Sequence, residues 1–193
     1  MPPKAKFKRD EIVDAAFSIV REEGFTALTA RSLGSKLGSS ARPIFTVFQS
    51  MEEVQQEVMN ASKVLYNQYI DIGLSHTIAF KGVGMQYIQF AAEEPKLFQI
   101  LFMTEQSGAP NLNSVLTLID ENYKQILTSI QEGYDLDDSN AERLYKHLWI
   151  YTHGIATLCA TKMCTFSKDE IDRMLTEICI GQIKEIKAGK NDD

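Results

Sequence analysis

The sequence lacks the features of a membrane-spanning, secreted or metal-dependent protein. It has no run of about 18 apolar residues, so we expect no membrane span. The basic N-terminus has no apolar core and does not resemble a secretory signal. Only three cysteines are present, and the spacing of Cys159, Cys164 and Cys179 is not that of a metal site. We therefore expect a cytoplasmic protein with reduced thiols and no bound metal.

Signals of β-structure and of catalysis are also missing. No segment alternates apolar and polar residues with a period of two, so the chain is predicted to be all-α. The sequence contains no nucleophile motif and no glycine-rich phosphate loop. His76 is remote from the other histidines, and His147 and His153 fall on different faces of a helix. These absences do not support an enzyme, and we expect no cofactor.

The clearest positive signal lies in residues 29–48, which read TARSLGSKLGSSARPIFTVF. Helical spacing predicts a first short helix here, with Thr29 placed to cap its start and Gly38 placed to end it. The apolar face of this helix consists of Ala30, Leu33 and Leu37. The pattern favours a short helix that buries one side and exposes the other.

A second short helix is predicted to follow, with Ser40 as its cap. Its apolar face consists of Ala41, Ile44 and Phe48. Pro43 is then the third helical residue, where its missing N–H costs no hydrogen bond. In the alternative interpretation, Arg42 is the cap and Pro43 is the first helical residue. Two helices of roughly 7 to 9 residues, joined by a glycine-containing turn of about three residues, indicate a helix-turn-helix.

The net charge of −6 conceals an uneven distribution along the chain. Residues 1–50 carry 8 basic and 5 acidic side chains, which gives a net charge of +3. Residues 51–193 carry 12 basic and 21 acidic side chains, which gives a net charge of −9. The N-terminal arm contains Lys4, Lys6, Lys8 and Arg9, and we expect it to be flexible and able to reach phosphates. The alternative is a basic tail that is only solvated. A basic segment with a helix-turn-helix on an acidic remainder suits a nucleic-acid-binding head.

Helical spacing of apolar residues predicts further helices on both sides of this motif. The first is expected over residues 9–23, with Gly24 at its end and with an apolar stripe that consists of Ile12, Ala16, Ile19 and Val20. A helix over residues 51–72 would be roughly 30 Å long, enough to link a head to a body. The remaining predicted helices cover residues 83–91, 97–102, 114–131, 139–163 and 167–187, and residues 106–113 are predicted to form a loop.

The last two predicted helices are apolar on more than one side. A helix of this kind has to be buried on both sides, which favours a four-helix bundle formed by two chains. The alternative is an unusually large core within one chain. The candidate dimer-interface residues are Thr152, Ala156, Ala160, Leu175, Ile178 and Ile183.

Several motifs together resemble a known family. Residues 12–54 read IVDAAFSIVREEGFTALTARSLGSKLGSSARPIFTVFQSMEEV, with the order helix, EGF, T-x-R, two short helices and F-x-S-x-E-E. Residues 90–102, FAAEEPKLFQILF, and the spacing of Trp149, His153 and Gly154 add to the pattern. The N-terminal run resembles the DNA-binding region of the tetracycline-repressor (TetR) family of bacterial transcription regulators, and the later motifs resemble the ligand domain of one branch of it.

The resemblance implies a three-helix DNA-binding domain over residues 1–50 and a helical ligand-binding and dimerisation domain over residues 51–193. The residues that it places at the DNA are Thr29, Arg31, Ser40, Arg42, Pro43, Phe45 and Thr46. Two positions depart from the family, because Phe45 stands where members often have tyrosine and Met51 where many have lysine. Both departures remove a phosphate contact, while Arg42 remains suited to reading guanine.

The function that the resemblance implies is a homodimeric, ligand-responsive repressor. Two recognition helices roughly 34–36 Å apart would read a palindromic operator, and a small apolar or aromatic effector would release the DNA. The side chains expected to line the effector pocket are Tyr69, Tyr87, Phe90, Phe98, Phe102, Tyr123, Trp149 and His153. The alternative is a helical adaptor that binds protein, with weak or no DNA binding.

Overall fold

The computed structural model describes residues 6–105, 111–119 and 122–189, and all the regular structure in these residues is helical. The all-α class is therefore confirmed. The helices are α1 (Arg9–Glu23), α2 (Ala30–Lys36), α3 (Met51–Leu74), α4 (Ala79–Glu93), α5 (Pro95–Phe102), α6 (Leu112–Ile119), α7 (Tyr123–Tyr134), α8 (Asp138–Ala160) and α9 (Lys168–Gly189). Helices α6 and α7 occupy the segment for which one helix was predicted, and most of the predicted loop over 106–113 lies outside the described residues.

The described chain forms two compact units. The first comprises residues 6–65 and Glu94–Thr104, and the second comprises Tyr66–Glu93 with the described residues of 105–189. The division falls within α3, which therefore contributes to both units. A functional boundary after residue 50 remains a prediction.

The core of the first unit is built on α1. The stripe predicted for this helix is buried, and Gly24 follows its last residue. Helix α5 packs against α1, and α2 packs there too. The buried apolar side chains of this unit are Ile12, Ala16, Ile19, Val20, Leu28, Leu33, Ile44, Phe48, Val54, Val58, Leu97, Phe98, Ile100 and Leu101.

An ion pair joins α1 to the start of α5. The carboxylate of Glu94, whose side chain is only 6% exposed, accepts hydrogen bonds from Nε of Arg21 at 2.7 Å and from Nη2 of the same guanidinium. A two-pronged contact of this kind fixes the orientation of both groups. It satisfies a carboxylate that would otherwise be costly to bury.

The first helix of the predicted helix-turn-helix is confirmed as α2. The hydroxyl of Thr29 accepts a hydrogen bond from the amide of Ser32 at 3.1 Å, which caps the helix. Gly38 follows with a φ of 62°, in the left-handed region that glycine enters without strain.

The second helix is not the α-helix that was predicted. Residues 41–47 form turns around a single 3₁₀ turn, Ile44–Thr46. The carbonyl of Pro43 accepts from both the amide and the hydroxyl of Thr46, at 3.2 and 2.6 Å, whereas an α-helix would direct the amide of Val47 to it. Proline also disfavours a helical residue before it. These two local effects explain the shorter element.

Gly34 allows the turn after α2 to pack closely on that helix. A Cβ atom on Gly34 would lie 2.9 Å from the carbonyl carbon of Ser40 and 3.0 Å from the amide of Ala41. The amide of Ser39 donates to the carbonyl of Gly34 at 2.9 Å. The path of the chain into the 3₁₀ turn therefore depends on the missing side chain.

The second unit packs α4 against α7, α8 and α9. Near its start, α4 meets the end of α3 through backbone atoms. A Cβ atom on Gly73 would lie 2.7 Å from the backbone of Val83, and one on Gly82 would lie 2.3 Å from the carbonyl oxygen of Gly73. These distances leave no space for side chains at the α3–α4 junction.

Candidate functional site

The residues predicted to contact DNA all belong to the first unit. Thr29 caps α2 and Arg31 lies in its first turn. The other five lie in or just before the 3₁₀ turn, to which Phe45 and Thr46 belong. Six of the seven are exposed, and Pro43 is half-buried. Phe45 presents 46% of its surface, which is unusual for a large aromatic residue. Contact of these residues with DNA stays a prediction.

The N-terminal arm is arranged differently from the flexible basic tail that was predicted. Its Lys4 lies outside the described residues, but Nζ of Lys6 donates to the hydroxyl of Ser39 at 3.0 Å. Arg9 instead forms ion pairs with Glu57 at 2.7 Å and Glu53 at 2.9 Å. Lys6 therefore lies beside the turn of the helix-turn-helix, whereas Arg9 is held by carboxylates of α3.

A cavity of about 220 Å³ lies in the second unit. For comparison, an apolar protein cavity of roughly 150 Å³ already admits benzene. Ile78 and Ile180, which belong to its wall, are 53% and 48% exposed, so the cavity meets solvent on their side. The lining residues are Tyr66, Ile78, Phe80, Lys81, Val83, Gly84, Tyr87, Tyr134, Tyr145, Leu148, Trp149, Thr152, Leu175, Thr176, Cys179, Ile180 and Ile183.

A few polar groups interrupt this apolar wall. The ammonium group of Lys81 lies 2.6 Å from a carboxylate oxygen of Asp172. Burial raises the pKa of Tyr134, and its hydroxyl bonds the sulfur of Cys179. Burial also raises the pKa of Cys179, a shift that the hydrogen bond from Tyr134 opposes. Both groups are therefore protonated near neutral pH.

One lining residue, Tyr87, is hydrogen-bonded to a histidine that does not line the cavity. The hydroxyl of Tyr87 lies 2.9 Å from Nδ1 of His153. The ring of His153 stacks on Trp149, with centroids 4.8 Å apart and planes 10° from parallel. Burial lowers the pKa of His153, which favours the neutral ring. A neutral ring can accept a hydrogen bond from the hydroxyl of Tyr87 at Nδ1, so the two side chains fix each other's position.

Of the eight side chains predicted to line the effector pocket, Tyr87 and Trp149 line this cavity. Tyr123 packs edge-on against the lining residue Tyr145, and His153 lies behind Tyr87. Phe90 is fully buried beside Tyr69, whose hydroxyl donates to Glu93. Phe98 and Phe102 pack on each other within the first unit. Of these six side chains, Phe90 and Phe98 are fully buried in the core and the other four are half-buried. Aromatic residues at helical spacing suit either a core or a pocket, so spacing alone does not separate the two roles.

The side chains predicted for the dimer interface are also distributed differently. Thr152, Leu175 and Ile183 line the cavity. Ala156 and Ala160 are buried within the chain, at 0% and 2% exposure, so they have no surface to offer to a partner. Ile178 alone among the six is neither buried nor part of the cavity wall. Parts of the apolar faces of α8 and α9 enclose the cavity within one chain, and their role in a dimer stays a prediction.

The lining residues that the sequence did not suggest come from several helices, and α4 supplies four of them. Phe80, Lys81 and Gly84 face the space between this helix and its neighbours, as do Tyr134 and Tyr145. Periodicity identifies which face of a helix is apolar, but the same pattern fits a face that packs in the core and a face that lines a cavity. The closest available signal was the pair of small residues, Gly82 and Gly84, on one helix.

The capped helix α2 with its following 3₁₀ turn in one unit, and the apolar cavity in the other, fit the class of regulators that have separate DNA-binding and effector-binding parts. The tetracycline repressor-like C-terminal domain family matches residues 80–179, which are 100 of the 193 residues. The chain belongs to the tetracycline-repressor family, and it is a ligand-responsive transcriptional regulator.

A solved structure supports the fold. The fatty acid degradation regulator FadR from Bacillus halodurans is similar to this chain with a TM-score of 0.56 and 16% sequence identity, over 90% of this chain and 93% of that one. No curated protein sequence matches the chain. In the part of the chain that the structure describes, no helix combines the length and the hydrophobicity that a bilayer span requires.

Proposed function

We propose that this regulator is a homodimeric repressor that binds a palindromic operator and is released by a small apolar or aromatic effector in the cavity of the second unit. The cavity is the observation that carries the proposal. Its walls are mostly apolar, with a few polar groups, as in other small-molecule sites. A regulator that had no effector would gain stability by filling this space with side chains.

The DNA-binding surface is proposed to centre on Arg42. Its side chain is exposed beside the 3₁₀ turn, and no ion pair of the described residues involves it. A free guanidinium can bond the O6 and N7 atoms of guanine. Arg31 and Lys6 are exposed as well and would contact phosphates on either side.

The proposed response to effector runs through α4. This helix supplies five lining residues. Its backbone packs directly against the backbone of α3 at Gly73 and Gly82, so α4 cannot shift there without moving α3. The residue after α4 is Glu94, which is held by Arg21 of α1. An effector that displaces α4 would therefore disturb the glycine contact near the start of this helix and the ion pair of Glu94 just after its end. To shift the equilibrium it must bind the released and DNA-bound states unequally.

Dimerisation is proposed to involve the outer faces of α8 and α9. Ile150 on α8 is 55% exposed, and Ile178 on α9 is half-buried. A partner chain that covered these side chains would bury apolar surface that one chain leaves in water. Light scattering of the purified chain and of Ile178→Glu tests this part, and a monomeric wild-type chain at micromolar concentration would contradict it.

A helical adaptor without DNA binding is the second candidate, and a specific observation favours it. The second element of the helix-turn-helix is one 3₁₀ turn, and it exposes Phe45 where a hydrogen-bond donor would contact phosphate. An exposed aromatic residue on a short turn also suits a protein contact.

Selection of bound sequences from a random double-stranded DNA pool separates the two candidates. For a repressor we expect an enriched palindrome and a footprint on two half-sites about 10 base pairs apart, centre to centre. Affinity should fall steeply with salt, since phosphate contacts release counterions. Recovery of no enriched sequence, together with no salt-dependent binding to any DNA, would support the adaptor and refute the repressor.

A further inference from the structure

The cavity wall contains one charged side chain among its seventeen described residues, and that side chain is a lysine. The side chain of Lys81 is 26% exposed, and its ammonium group pairs with Asp172. Asp172 does not line the cavity, and its side chain is 52% exposed. The positive charge therefore lies on the cavity wall, whereas the carboxylate that balances it lies towards solvent.

The other polar groups of the wall are neutral and can donate hydrogen bonds. Burial raises the pKa of both Tyr134 and Cys179, so both keep their protons at neutral pH. Thr152 is buried and Thr176 is half-buried, and each contributes a hydroxyl. The wall thus presents a cation and several neutral polar groups, with no anion among the described lining residues.

The apolar part of the wall is rich in rings. Six of the seventeen lining residues are aromatic, and they come from four helices. Aromatic side chains contact the ring of a ligand through offset or edge-on packing, which adds to the gain from burying its surface. The six aromatic lining residues are Tyr66, Phe80, Tyr87, Tyr134, Tyr145 and Trp149.

We propose that the effector is an aryl carboxylic acid, with its carboxylate at Lys81 and its ring against the aromatic wall. This inference rests on the proposed role of the cavity as the effector site. A carboxylate would take a charge-assisted hydrogen bond from Lys81, in place of Asp172 or beside it. An amine of the same size would meet a like charge, and a neutral alcohol would forgo the ionic contact.

Isothermal titration of the full-length protein with three probes of one size tests the proposal. Phenylpropanoate, phenylpropanol and phenylpropylamine share a body and differ in the charge of the terminal group. Each is titrated into the wild type, Lys81→Met and Lys81→Arg. Lys146→Met is the matched control, because Lys146 is 24% exposed and pairs with Glu142 at 3.1 Å but does not line the cavity.

We expect the wild type to bind the acid more tightly than the alcohol and the amine least. Lys81→Met should weaken binding of the acid by about tenfold or more, the usual effect of losing a hydrogen bond to a charged group. Binding of the alcohol should be unchanged. Lys81→Arg should retain the preference for the acid, and Lys146→Met should behave as the wild type.

Equal affinity of the acid for the wild type and Lys81→Met would overturn the inference, as would a wild type that prefers the alcohol. In both cases at least one probe still binds, so the cavity remains a ligand site and the proposed function stands. Binding of none of the three probes would refute the inference and also the effector cavity. Gly84→Leu identifies the site of any binding, since a side chain there would project towards Leu175 and Thr152.

Discussion

The ion pair between Arg21 and Glu94 should contribute measurably to the stability of the first unit. The side chain of Glu94 is 6% exposed, so Arg21→Met would leave a buried carboxylate without its partner. Loss of one partner from a fully buried pair costs about 3–5 kcal/mol, and loss of an exposed pair about 0–1 kcal/mol. Arg21 is itself 52% exposed, so water can reach the carboxylate from that side. We therefore expect a loss of about 2 kcal/mol, between the two limits.

Urea denaturation followed by circular dichroism measures this loss, and a double-mutant cycle assigns it. Glu94→Gln removes the charge while it keeps the shape, so Arg21→Met should cost much less in that background. Lys36→Met is the control, because Lys36 forms an exposed pair with Glu22 at 3.3 Å in the same unit. If Arg21→Met and Lys36→Met are equally stable, or if the cycle shows no coupling, the carboxylate of Glu94 does not depend on Arg21 and the reasoning fails.

Three further predictions concern the other parts of the molecule. Arg42→Ala should weaken specific DNA binding by about 1–3 kcal/mol and relax one base-pair preference per half-site. The control Arg143→Ala on α8 should have neither effect. An unchanged affinity and footprint for Arg42→Ala would show that Arg42 does not contact a base. Gly34→Ala should destabilise the turn after α2 because its Cβ would meet the backbone of Ser40, and thermal denaturation should show a lower midpoint than for the wild type. Burial lowers the pKa of His153 in the folded chain, so protonation of this residue favours unfolding. The free energy of unfolding should therefore fall as the pH drops below about 6.5, the ordinary pKa of histidine. His153→Gln should remove this dependence, and an identical pH profile in the variant would contradict the reasoning.

Local sequence signals predicted the first unit correctly as far as the turn after α2. In the next segment, helical periodicity and local side-chain bonding favour different structures. The stripe of α1, the cap at Thr29 and the left-handed Gly38 are each specified by neighbouring residues, and all three are observed. The prediction of a second α-helix was wrong because the hydroxyl of Thr46 donates to the carbonyl of Pro43. Apolar periodicity does not reveal a side-chain contact of this kind.

The cavity could not be predicted in the same way. Phe80 and Phe90 are both aromatic residues of α4, yet Phe80 lines the cavity and Phe90 is fully buried. The difference depends on which helices pack on either side, and that is decided by contacts far apart in the chain. Lys81 likewise resembles any solvated charge in the sequence. Its place on the wall follows from the position of α9, which supplies Asp172.

The glycine contact between α3 and α4 has a consequence for how new specificities arise. Because Gly73 and Gly82 meet through backbone atoms, the geometry of the junction does not depend on the identity of any side chain in the cavity. Substitutions at Gly84 and Tyr87, two and five residues after Gly82 along α4, can alter the shape and polarity of the wall while that junction persists. A sensor for a different molecule is therefore best sought by varying the wall and leaving the two glycines in place.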